Sequence, residues 1–79
     1  MKTLHDYFGH VISFPPQYKF VATDEDGDVW AFTYEPEFND DSGVWWGDGY
    51  DGSDFYYIDN IELPPDVDWK DTLFKELKP

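Results

Sequence analysis

Asp24, Asp26 and Asp28, in the stretch TDEDGDVW, stand at alternate positions. That is the spacing of the first three ligands of a calcium-binding loop, and Glu35 stands where the twelfth-position carboxylate would fall. Such a loop requires glycine at its sixth position, and here that residue is Val29. An EF-hand also needs a helix on each side, whereas both flanks are rich in the β-branched and aromatic residues of strands. TDEDGDVW therefore reads as a turn, with no metal expected. The second acidic stretch, DGYDGSD, offers Asp48, Asp51 and Asp54 among the Gly, Asp and Ser that turns use, and reads as a solvated loop.

No other grouping converges on a reaction. His5 and His10 are five apart and on one helix would point in different directions. The chain has no cysteine, which removes thiolate nucleophiles, thiolate metal sites and disulfides together. No serine lies in a G-x-S-x-G elbow, and no glycine-rich loop leads to a lysine for phosphates. With 18 acids in the chain, paired carboxylates arise by chance and identify nothing. The expectation is a protein that is not an enzyme and carries no cofactor.

The charge is more informative. Eighteen Asp and Glu stand against five Lys, giving a net charge of -13 in 79 residues. Residues 20–69 hold fifteen of the acids and no Lys or Arg. Nucleic acids and anionic lipids are bound by Lys and Arg, which displace their counterions, so direct binding to DNA, RNA or membrane is disfavoured. The expected partner is a protein with a basic surface. Aromatic residues make up 22% of the chain, far more than acidic disordered segments carry, so a folded single domain spanning 1–79 is expected. No apolar run approaches the roughly 18 residues of a membrane span, and a cytoplasmic protein is the expectation.

The elements that would position these residues follow from periodicity. Leu4, Tyr7, Phe8, Val11 and Ile12 fall at i, i+3, i+4, i+7 and i+8, which predicts an amphipathic helix capped by Thr3, weakened by Gly9 and ended by Pro15-Pro16. YKFVATD and DVWAFTY predict two strands of a hairpin. A three-residue loop Glu25-Asp26-Gly27, with Gly27 at positive φ, sets Phe20 opposite Phe32, Ala22 opposite Trp30 and Tyr18 opposite Tyr34, collecting the aromatic rings on one face. EPEFNDDSG reads as a turn-rich connection, VWW (44–46) as a third strand and FYYIDNIEL (55–63) as a fourth. The tail predicts a helix with Asp68 as N-cap, Trp69, Leu73, Phe74 and Leu77 on one side, and Lys75 and Lys78 in the last turn. The sum is an α+β fold: a four-stranded antiparallel meander with N-terminal and C-terminal helices on one face.

In that arrangement Trp45 and Trp46 point to opposite faces, as do Tyr56 and Tyr57, because successive strand residues alternate. Some of these rings then lie among carboxylates on the face left open.

The run VATDEDGDVWAFTYEP, the tryptophan-bearing strand after it and DWKDTLFKEL together resemble small acidic proteins of tailed bacteriophages, over residues 18–77. The resemblance implies a phage gene product acting in the bacterial cytoplasm, in a class that includes inhibitors of restriction, CRISPR and other host machinery. It carries no catalytic residues. The function expected is that of an inhibitor presenting carboxylates in place of phosphates to a host nucleic-acid-binding protein. Strand residues i and i+2 stand about 7 Å apart on one face, comparable to successive phosphates. The surface would comprise Asp24, Glu25, Asp26, Asp28, Asp40, Asp41, Asp48, Asp51 and Asp54, with Trp45, Trp46 or Tyr50 as apolar anchor. The alternative is a small interaction or structural module, homodimeric through its open aromatic face, whose acidity serves solubility alone.

Overall fold

In the computed structural model, which describes residues 1–48 and 52–76, the N-terminal segment is a β-hairpin and not a helix. Strand β1 (Lys2–Tyr7) pairs antiparallel with β2 (His10–Phe14). Phe8 and Gly9 both have positive φ, +50° and +87°, the conformation that joins two strands through two residues. The apolar spacing that suggests a helix hides a period of two: Ile12 and Phe14 are buried, while Val11 and Ser13 face solvent. Thr3, expected to cap a helix, instead lies across from Ser13, with the two hydroxyls 3.1 Å apart.

The central hairpin forms in the expected register. Strand β3 (Phe20–Thr23) pairs with β4 (Asp28–Phe32), setting Phe20 opposite Phe32 and Ala22 opposite Trp30. The Asp24 N–H donates to the Asp28 carbonyl at 2.8 Å, closing a three-residue loop whose Gly27 has φ +96°. Tyr18 departs from the ladder. Its N–H donates to the Pro15 carbonyl in a turn, its ring lies 5.8 Å from that of Tyr56, and its hydroxyl donates to the Ser53 carbonyl at 2.7 Å.

The third expected strand belongs to a separate sheet. EPEFNDDSG contains strand β5 (Glu37–Asn39), which pairs with β6 (Val44–Trp46) through a turn ending at Gly43, φ +74°. Strand β7 (Phe55–Asn60) follows a 3-10 turn at Gly52–Asp54 and pairs with β4. Among the described residues the C-terminal helix is also absent. Asp68 does cap, accepting from the Lys70 N–H at 2.9 Å, but the helical segment is only a 3-10 turn, Trp69–Asp71. Thr72 stops it, its hydroxyl donating to the Trp69 carbonyl at 2.8 Å and accepting the Thr23 N–H at 3.0 Å. The chain then runs beside β3 as β8 (Phe74–Lys75), placing Lys75 opposite Phe20; Leu77 and Lys78 lie outside the described residues.

The four-stranded sheet thus has the order β7-β4-β3-β8, and the meander with helices on one face gives way to a mostly β architecture, with no helix of seven residues or more among the described residues. Alternation sorts its side chains to two faces. Val21, Val29 and Ala31 pack with Tyr7, Ile12 and Phe14 of the N-terminal hairpin, and Ala22 and Phe32 pack with Trp45 of the β5–β6 hairpin. Tyr7 locks the first of these layers. Its buried hydroxyl lies 2.9 Å from Thr23 Oγ1 and donates to the Thr72 carbonyl at 3.0 Å, and burial pushes its pKa up to about 12.

Candidate functional site

Asp28, Trp30 and Phe32 occupy alternate positions of β4 and share the face covered by the β5–β6 hairpin. The hairpin does not cover that face completely. Between Trp30 and Phe32 of β4, Phe55 of β7, and Val44, Trp45 and Trp46 of β6 lies a cleft of about 370 Å³, with Asp24 also in its wall. Trp45 is buried at 7% exposure, its indole N–H donating to the Trp69 carbonyl at 3.2 Å and its ring in edge contact with Phe38 at 5.5 Å. Trp46, its neighbour, is 61% exposed, as the alternation of a strand requires. Tyr57, half-exposed, meets Trp30 edge to face at 5.2 Å, extending the aromatic surface onto β7.

Carboxylates border this surface on two sides. Asp24, Asp26 and Asp28 each place an oxygen within 4.8 Å of the others. Asp24 is buried and accepts the Trp45 backbone N–H at 2.7 Å. Burial raises its carboxyl pKa to about 6, opposed by that hydrogen bond and assisted by the charges of Asp26 and Asp28. Asp26 accepts the Asp28 N–H within its own turn at 3.1 Å. Asp28 Oδ1 accepts from Asn60 Nδ2 at 3.0 Å and from the Tyr57 hydroxyl at 3.3 Å. On the other side of Trp46, a notch of about 290 Å³ is formed by Glu35, Glu37, Trp46, Gly47 and Asp48, Glu37 being Trp46's partner across the β5–β6 ladder.

Among the described lysines only Lys75 reaches the notch, through Glu35. Lys2 and Lys19 pair with Glu76, Lys70 with Asp40 at 3.5 Å, and Lys75 with Glu35 at 3.0 Å. Among the described residues no ion pair reaches Asp24, Asp26, Asp28, Glu37 or Asp48. Among the described residues the acids bordering the cleft, Asp24, Asp26 and Asp28, therefore have no paired cation, and they stand beside indole faces whose quadrupoles also attract cations.

Of the residues singled out in the sequence, Asp24, Asp26, Asp28, Trp45 and Trp46 come together here, with Asp48 in the adjoining notch. Asp24 and Trp45 serve the fold as buried groups, while Asp26, Trp46 and Asp48 are exposed. Glu25 is exposed and its N–H donates to the Gly43 carbonyl at 2.9 Å. Asp40 and Asp41 sit in the β5–β6 turn, and Asp54, half-buried, ends the 3-10 turn before β7. Tyr50 and Asp51 lie outside the described residues. Trp30, Phe55 and Glu37 join the site without having been singled out in the sequence, and Glu35 joins it in a role other than the calcium ligand its spacing suggested. The period of two from Asp28 points to Trp30, but no local signal brings β6 over β4. His5 and His10 stand on different strands, and the His10 Nε2 lies 3.0 Å from the Glu62 carbonyl.

Compared with protein-family models, curated proteins and solved structures, the chain has no match. Among the described residues no helix is long and apolar enough to cross a membrane.

Proposed function

We propose that the protein is a non-enzymatic binding module that docks its acid-bordered aromatic face onto a basic protein surface, acting as a phage-type inhibitor of a host nucleic-acid-binding protein. The observation that carries this reading is the position of Trp46. Its exposed ring stands between the aromatic cleft and the carboxylate notch. An aromatic anchor surrounded by charge is the arrangement in which electrostatics accelerate encounter and a desolvated ring slows dissociation. Surfaces that hold nucleic acid are the basic surfaces this face complements, and occupying one would exclude its nucleic acid. The convergence of Asp24, Asp26 and Asp28 within 4.8 Å is tighter than a row of phosphates, so the mimicry resides in charge and not in a copied spacing.

The test starts from a partner recovered from bacterial lysate and measures association with the wild type and with a triple variant, Asp26→Asn, Glu37→Gln and Asp48→Asn. All three side chains are exposed, so the fold is retained. The expected result is an on-rate reduced about ten-fold at low salt with a shallower salt dependence, and displacement by nucleic acid. An unchanged on-rate, or a ternary complex with nucleic acid still bound, overturns the proposal. Self-association through Trp46 and Tyr57 is the competing reading, and a dimer that Trp46→Ala disperses while salt leaves it intact would support it.

A further inference from the structure

We propose that the cleft between β4 and β6 receives the guanidinium group of an arginine side chain presented by the partner protein. This rests on the reading above and adds the chemical group that is recognised. Trp30, Trp45, Trp46, Phe32 and Phe55 supply five aromatic rings to one concavity of about 370 Å³, and tryptophan has the strongest attraction for a cation over its face. Asp24 lies in the wall, and Asp26 and Asp28 place oxygens within 4.8 Å of it and of each other. An anion is repelled by that trio. A neutral apolar group would fill the ring-lined space but leave the neighbouring carboxylates desolvated without a partner. A cation with an apolar stem satisfies both the rings and the acids.

Arginine fits this chemistry better than lysine. Its guanidinium is flat, weakly hydrated and able to stack on an indole while its N–H fork reaches a carboxylate, whereas an ammonium gives up a tighter hydration shell. Asp28 borders the cleft without lining it, and its Oδ2 is the acceptor assigned to an N–H of that fork. Asp28 lies two residues before Trp30 on the same face, and both of its hydrogen bonds among the described residues fall on Oδ1. Tyr57 holds Trp30 by edge contact and donates to that same oxygen, so the wall and the acceptor are braced together. The surface of a protein that binds nucleic acid supplies arginine side chains of the required kind.

The experiment titrates the protein with acetyl-Gly-Arg-Gly-amide and follows the indole N–H resonances of Trp30 and Trp46, with the citrulline and lysine peptides alongside. The arginine peptide should move both resonances saturably, the citrulline peptide should leave them in place, and the lysine peptide should bind more weakly. Trp46→Ala, an exposed position whose loss leaves the remaining amide spectrum intact, should weaken the arginine peptide about five-fold, as expected for one cation–π wall. Asp28→Asn should weaken it as well. Equal binding of the citrulline peptide, equal binding of the lysine peptide, or shifts confined to acidic loops with both indoles unmoved would each overturn the assignment. The two proposals fail separately. If the indoles stay still while association with the partner still depends on Asp26, Glu37 and Asp48, the cleft assignment alone falls. If the arginine peptide enters the cleft while that association ignores the three acids, the surface reading falls and the cleft stands.

Discussion

The Asp24 carboxylate accepts the backbone N–H of Trp45 at 2.7 Å, fastening the β3–β4 turn to the first buried ring of the β5–β6 hairpin. This bond is made by a group whose pKa stands at about 6, against an ordinary 3.8. The ionised form is disfavoured by folding, so Asp24 lowers stability above about pH 6 and ceases to do so as pH falls from 6 towards 4. The melting temperature should therefore rise between pH 7 and pH 5. Asp24→Asn keeps an oxygen for the Trp45 N–H and removes the charge, so it should stabilise at pH 7 by about 2 kcal/mol and flatten that part of the profile. Thermal melts of both proteins at the two pH values decide it, and an equal slope in the variant would refute the assignment.

Gly27 and Gly9 both have positive φ but differ in surroundings. A methyl at Gly9 meets nothing within 4 Å, whereas one at Gly27 is directed into the Ile61 carbonyl, whose residue's N–H also bonds the Gly27 oxygen at 2.9 Å. Gly9→Ala should cost about 1 kcal/mol, from backbone strain alone. Gly27→Ala should cost about 2–3 kcal/mol, since strain is joined by a backbone clash. Urea denaturation of the two variants gives the comparison, and equal costs would contradict it.

Two adjacent tryptophans should behave as opposites. Trp45→Ala removes a buried ring that contacts Phe38 and whose indole bonds the Trp69 carbonyl, and should destabilise by about 3–5 kcal/mol. Trp46→Ala should change stability by less than about 0.5 kcal/mol while altering binding. Chemical denaturation read by circular dichroism separates the two, and a large stability loss at Trp46 would show that its ring serves the fold.

Calcium at millimolar concentration should give no saturable heat in calorimetry. Asp24, Asp26 and Asp28 approach one another, but each has an oxygen engaged by the fold, with the Trp45 N–H, the Asp28 N–H, and Asn60 with Tyr57 respectively. Hard cations need several oxygens free to close around them. A stoichiometric isotherm, or a rise of several degrees in melting temperature with calcium, would overturn this expectation.

What the sequence by itself determined is the part of the fold governed by neighbouring residues. The pairing of Phe20 with Phe32 and Ala22 with Trp30 followed from a three-residue turn and the sorting of rings to one face, and positive φ at Gly27 followed with it. The opposed exposures of Trp45 and Trp46 needed only the pleat of a strand, and Asp68 as a cap needed only its place before a helical turn. Tertiary structure decided the rest. Leu4, Tyr7, Phe8, Val11 and Ile12 satisfy a helical spacing, but their hairpin depends on burying Tyr7, Ile12 and Phe14 against Val21, Val29 and Ala31. The tail leaves its helical turn because the Thr72 hydroxyl meets the Thr23 backbone 49 residues away and Phe74 finds Val21 as a ladder partner. Strand β5 is held by rings from elsewhere, Phe38 meeting Trp45 and Trp69. The acids of TDEDGDVW were visible from the start; the cleft beside them arises only when β6 is laid over β4, because its walls come from three strands that the chain reaches at separate times.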